Sequence, residues 1–85
     1  MPNIKNNNPA NQRIYLVVRN ERSHVLHLDT IDKIKTTALK GGEGNYILQP
    51  GGYHPVSQDQ WYRASTEGNI LCDATMMGNT DVEFF

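Results

Sequence analysis

The chain has 85 residues, of which 38% are hydrophobic and 20% charged, with a formal net charge of −1. That length holds one small domain with a thin core, and both fractions lie below the usual globular level. No basic face points to nucleic acid, no apolar run approaches the ~20 residues that span a bilayer, and the sole cysteine, Cys72, leaves no internal disulfide.

Residues 1–12 contain five asparagines and two prolines, Pro2 and Pro9, and Ile4 is their only large apolar residue after Met1. Such a segment buries too little surface to order itself. It is expected to be a flexible N-terminal arm, with ordering against a neighbouring subunit as the alternative. Its polar character does not read as a signal peptide, so a soluble chain made in cytoplasm is expected. Residues 13–85 are expected to form the single small domain.

Arg13 to Arg19 is the clearest strand. Ile14, Tyr15, Leu16, Val17 and Val18 form a continuous β-forming run. A run apolar on both faces predicts burial on both, or a core on one side and an interface on the other. Asn20 to Ser23 reads as a polar turn, and His24 to Leu28 as a returning strand, which together predict an N-terminal β-hairpin.

Between Asp29 and Lys40, Ile31, Ile34, Ala38 and Leu39 fall at helical spacing. Asp29 or Thr30 could cap this helix and Gly41 could close it. Thr36-Thr37 keeps a loop carrying a short strand open as the alternative. Gly41 to Asn45 reads as a loop tip, because the lysine and hydroxyl of a phosphate-binding loop do not follow it.

The stretch from Tyr46 to Trp61 carries the densest local signals. Tyr46, Ile47 and Leu48 are strand formers. Pro50-Gly51-Gly52 is a reversing turn. Ser57 has the character of a helix N-cap, with Gln60 placed to complete a capping box, Asp59 in the first turn, and Val56 and Trp61 at the positions of a hydrophobic staple. These features predict a short helix from Gln58 to about Ala64, anchored by Ser57, Gln60 and Trp61. Asn69 then caps a second helix over Ile70 to Met77, ended by Gly78. The alternation Ile70-Cys72-Ala74-Met76 leaves a strand open instead, followed by a Gly78-Asn79 turn. Val82 to Phe85 reads as a strand in either case.

Little of this points to chemistry. His24 and His27 point to opposite faces if they lie on a strand, so they do not converge on a metal. His54 lies beyond a turn, and no second ligand cluster is present. Cys72 has no nucleophile signature and reads as a small buried hydrophobe. The carboxylates are scattered, with no pair placed for acid–base work. No catalytic residue, metal or cofactor is therefore expected. Trp61 is expected in the core, whereas Tyr62 beside it must face elsewhere. Phe84 and Phe85 are adjacent and cannot both enter one small core. The residues expected at an interface are Ile14, Tyr15, Val17, Tyr53, Tyr62, Phe84 and Phe85.

The segment Ile47 to Trp61, followed by a short apolar segment, Gly78 and the terminal Asp81-Val82-Glu83-Phe84-Phe85, resembles a pattern in small virion proteins of tailed bacteriophages. The resemblance covers residues 46–85. It implies a non-enzymatic structural subunit at a capsid, neck or tail (head–tail connector) junction. Such a subunit would be present in many copies, assembled in the host cytoplasm, and in contact with other virion proteins and copies of itself. A small phage-encoded inhibitor of a host factor is the alternative. The fold expected is α+β: a hairpin, a short capped helix and a C-terminal strand in one small domain.

Overall fold

The computed structural model describes residues 2–75 and 80–85, with residues 71–75 described by their backbone alone. Its elements are β1 (Asn3–Asn6), β2 (Ile14–Arg19), α1 (Arg22–Leu26), α2 (Ile31–Leu39), β3 (Asn45–Leu48), β4 (Tyr53–Pro55), β5 (Trp61–Ser65), β6 (Ile70–Thr75) and β7 (Val82–Phe84). A four-stranded antiparallel sheet runs β3-β2-β5-β6, and a three-stranded sheet runs β4-β1-β7. Both helices pack on one face of the larger sheet, and the smaller sheet packs on the other. The chain is a mixed α+β domain in three layers.

The central strand β2 explains this layering. Ile14, Leu16 and Val18 face the smaller sheet, where they join Leu48, Val56, Tyr62, Ala64, Ile4 and Phe84 in the main core. Tyr15 and Val17 face α2 and meet Ile34 and Ala38. Period-two alternation puts successive side chains on opposite faces, so a run apolar throughout needs a cover on each side. The chain supplies both covers itself. Each large side chain taken fully from water here contributes about 1.5–3 kcal/mol.

The expected hairpin between β2 and residues 24–28 does not form. β2 pairs with β3 and β5 instead, and residues 22–26 are the short helix α1. Only Val25 of α1 is buried. The C-terminal end of α1 is closed locally, with Leu28 N donating to Val25 O at 3.0 Å, and is held from elsewhere in the chain as well. Arg63 Nη1 of β5 donates to Val25 O at 3.3 Å and to Leu28 O at 2.6 Å. A cation at a helix C-terminus also complements the helix dipole.

α2 forms as its apolar spacing predicts. Of the two capping candidates it uses Thr30, whose Oγ1 accepts from Lys33 N at 3.2 Å, and Gly41 follows the helix at φ 70°. Ile34 and Ala38 are buried while Leu39 is exposed.

The expected helix around Trp61 is strand β5. One half of the capping box is present, the Gln60 side chain reaching back to Ser57 N, but Ser57 Oγ turns to Asp59 N and the contacts close a turn. Gln60 Oε1 accepts from Ser57 N at 3.3 Å, Ser57 Oγ accepts from Asp59 N at 3.3 Å, and Gln60 N donates to Ser57 O at 3.1 Å. A helix this short has little stability of its own. As a strand, the segment pairs on both edges, with β2 and β6, and sends Tyr62 and Ala64 into the main core. Trp61 is consequently half-buried, on the opposite face from Val56, with the Arg22 guanidinium 4.9 Å from its ring centroid. No staple joins Val56 to Trp61. The helix expected from Ile70 is also a strand, β6, as the alternation allowed; Met76 to Asn79, including the expected Gly78-Asn79 turn, lie outside the described residues.

The segment expected to be a flexible arm contains β1, the middle strand of the smaller sheet. It runs antiparallel to β4 and parallel to β7, and Ile4 is fully buried. Asn6 is also fully buried. Its Nδ2 donates to Leu48 O and to Gln12 O, each at 2.9 Å, and its Oδ1 accepts from Asn8 N at 3.1 Å. Asparagine is therefore used here as a buried bracket between the two sheets, with its polar atoms satisfied.

Candidate functional site

The seven residues expected at an interface divide sharply. Ile14, Tyr15, Val17, Tyr62 and Phe84 are buried inside the chain, because α2 and the smaller sheet cover the faces that the sequence left open. They are core residues and present no interface. Tyr53 and Phe85 are exposed, at 66% and 76%.

These two aromatics belong to the outer side of the smaller sheet. Lys5 pairs with Tyr53 on one side and with Glu83 on the other, so Tyr53, Lys5 and Glu83 form a row across the three strands. Asn3 pairs with Pro55 in a second row. Phe85 lies two residues beyond Glu83, directly after β7. Ile4, Asn6 and Phe84 alternate with these residues and point inward. An ion pair braces the face: Lys5 Nζ lies 3.1 Å from Asp81 Oδ2, and Asp81 Oδ1 accepts from Asn3 N at 2.9 Å. The Asn3 amide and then Lys5 hold the Asp81 carboxyl below its usual range.

A second feature was not anticipated. Between the turn before β3 and the end of β2 lies an open polar cleft of about 310 Å³, walled by Arg19, Asn20, Glu43, Tyr46, His54 and Gln60. The Tyr46 and His54 rings touch, with centroids 3.8 Å apart and planes inclined by 31°. Burial pushes the His54 imidazole below its ordinary pKa, so it is neutral at pH 7.

Gly44 shapes one wall of the cleft. Its φ is 82°, and a Cβ there would stand 2.5 Å from Arg19 Nη1 and 2.6 Å from Val18 O. Only glycine lets the guanidinium lie against this backbone. Arg19 is held there by three bonds: Nη1 donates to Val18 O at 2.8 Å and Gly44 O at 2.9 Å, and Nη2 donates to Asn45 Oδ1 at 2.8 Å. The sequence signal available for this site was the glycine-rich tip at residues 41–45. It has no standard motif spacing, and Arg19 and His54 join it only through the fold.

His24, His27 and His54 do not converge. Among the described residues, no three His, Cys, Asp or Glu side chains are grouped to hold a metal ion, and no helix is long and apolar enough to cross a membrane. Comparison with protein-family models, curated proteins and solved structures gave no match.

Proposed function

We propose that this chain is a non-enzymatic structural subunit of a tailed-bacteriophage virion, located at a capsid, neck or tail junction and acting through protein–protein contacts. The observation that carries the reading is the outer face of the smaller sheet. Tyr53 and Phe85 stand out from a face whose reverse side is core. Exposed aromatic rings on a rigid strand platform are the usual anchors of a protein interface. The lone Lys5 is already paired with Asp81, which leaves Glu83 as the outward charge. The face therefore suits a head or tail protein that offers apolar pockets for two rings and a basic rim, with copies of this chain repeated around the particle. The sequence pattern at residues 46–85 points the same way.

The test is light scattering on the purified chain, alone and with candidate head and tail proteins. A complex of defined stoichiometry is expected with one of them. A chain that stays monomeric and binds none of the virion components would end this reading and favour an inhibitor of a host factor.

A further inference from the structure

The polar cleft is a second site, separate from the outer sheet face, and its chemistry does not depend on the assembly reading. Arg19 and Glu43 are its charged residues, and neither forms an ion pair among the described residues. Arg19 carries five N–H donors, and its bonds to Val18 O, Gly44 O and Asn45 Oδ1 leave donor capacity on Nε and Nη2. Those two nitrogens are the edge that a carboxylate spans side-on. Because the guanidinium is already fixed against Gly44, little side-chain freedom is lost when it binds.

We propose that this cleft binds a small zwitterion of dipeptide size, with the carboxylate on Arg19 and the ammonium on Glu43. The Tyr46 and His54 rings offer an uncharged wall for the ligand's carbon skeleton, and Asn20 and Gln60 offer amide groups at the rim. One fixed cation and one free carboxylate match one negative and one positive ligand group. A phosphate dianion fits less well, because Glu43 would repel it and neutral His54 adds no charge to hold it. A volume of about 310 Å³ lies at the small end of ligand pockets.

The experiment is a two-dimensional NMR titration of the full chain with L-alanyl-L-alanine, its N-acetylated and C-amidated forms, and inorganic phosphate. The unblocked dipeptide is expected to shift the Gly44, Asn45 and Asn20 amides saturably. Blocking either end is expected to weaken binding by about tenfold, the factor that corresponds to loss of one charged contact. Glu43 is exposed, so Glu43→Gln leaves the fold intact; it is expected to weaken the free dipeptide by a similar factor without affecting the N-acetylated one. Arg19→Gln is expected to abolish the shifts. Should that variant lose its fold, Glu43→Gln and the two blocked peptides decide the matter alone. The proposal is overturned by the absence of saturable shifts, by blocked and free peptides binding alike, or by phosphate binding at least as well as the dipeptide.

Discussion

The Tyr15 hydroxyl, carried on the fully buried middle of β2, donates to the Glu67 carboxylate in the turn between β5 and β6. Lys35 Nζ of α2 reaches the other carboxylate oxygen at 2.6 Å, and Arg13 Nη2 donates to the Tyr15 oxygen at 2.9 Å. One glutamate thereby joins the central strand, the longer helix and the β5–β6 turn. Lys35 first, and Tyr15 next, hold the Glu67 carboxyl below its ordinary value of 4.5. Burial first, and Glu67 next, raise the Tyr15 hydroxyl above 10.0.

The signs give a stability window. A depressed carboxyl stabilises the fold above its unfolded pKa, and that contribution is lost as pH falls through the folded value. A raised phenol stabilises the fold below its unfolded pKa, and that contribution is lost as pH rises through the folded value. Lys35, also raised, adds to the alkaline limb, and Asp81 and Asp29, both lowered, add to the acid limb. Urea midpoints are therefore expected to fall below about pH 4.5 and above about pH 10. Tyr15→Phe should lose about 1 kcal/mol at neutral pH and show a shallower alkaline limb. Glu67→Gln should show a shallower acid limb. An alkaline limb unchanged in Tyr15→Phe would mean that the Tyr15 hydroxyl is not raised in the folded chain.

The N-terminal strand yields a prediction opposite to that for a floppy arm. Ile4→Ala removes a fully buried side chain from the main core and should cost about 2–5 kcal/mol. Asn6→Ala leaves Leu48 O without its side-chain donor and should cost about 1–3 kcal/mol. Chemical denaturation measures both. If removing residues 1–6 left the midpoint unchanged, β1 would not be part of the folded domain.

Trp61 and Ser57 should matter less than a capped helix would require. Trp61→Ala removes a half-buried ring and its contact with Arg22, a loss of about 1–2 kcal/mol. Tyr62→Ala, which empties a core position, should cost about 3–5 kcal/mol. The order of the two denaturation midpoints is the readout, and a larger loss at Trp61 would place the tryptophan, not the tyrosine, in the core.

What could be read from the sequence was whatever has a local cause. The strand at residues 14–18, the Pro50-Gly51 turn, the apolar spacing of α2 and the terminal strand each depend on neighbours a few residues away. Gly51 shows this well: its φ is 79° and Gly52 N donates to Gln49 O at 2.8 Å, as a Pro-Gly turn requires. Elsewhere, distant contacts outweigh local ones. Gln60 reaches back to Ser57 N as the pattern implies, yet pairing with β2 and β6 makes the next residues a strand. Arg63 caps a helix from 38 positions away in the chain, which no spacing rule reveals. Ile4 is a lone apolar residue in a polar segment, and it is buried because β4 and β7 pair with β1 on either side. Trp61 and Tyr62 exchange the places that the sequence suggests for them for the same reason, whereas Tyr53 and Phe85 are exposed as expected. Exposure of Tyr53 and burial of Tyr62 follow from which side of a strand each occupies, and that is fixed by register.

The docking face gives the final prediction. Tyr53→Ala and Phe85→Ala each remove a ring that makes little contact within the chain, so each variant, and the double variant, should keep the parent melting temperature to within a few degrees, or about 0.5 kcal/mol. Binding to the virion partner should behave differently. Truncating an aromatic anchor at an interface typically costs about 2 kcal/mol or more, so each single variant should weaken the complex about thirtyfold and the pair should abolish it at micromolar concentrations. Glu83→Lys tests the rim by charge. It should slow association with a partner whose rim is basic and lower the melting temperature only by a few degrees, because Glu83 is exposed but faces Lys5 across the strands. Light scattering and surface-immobilised binding supply the readouts. Buried Phe84 is the internal control: Phe84→Ala should lower stability and binding together, by opening the core between the sheets. If the Tyr53 and Phe85 variants assembled like the parent while Phe84→Ala alone failed, the outer face would be excluded as the docking surface.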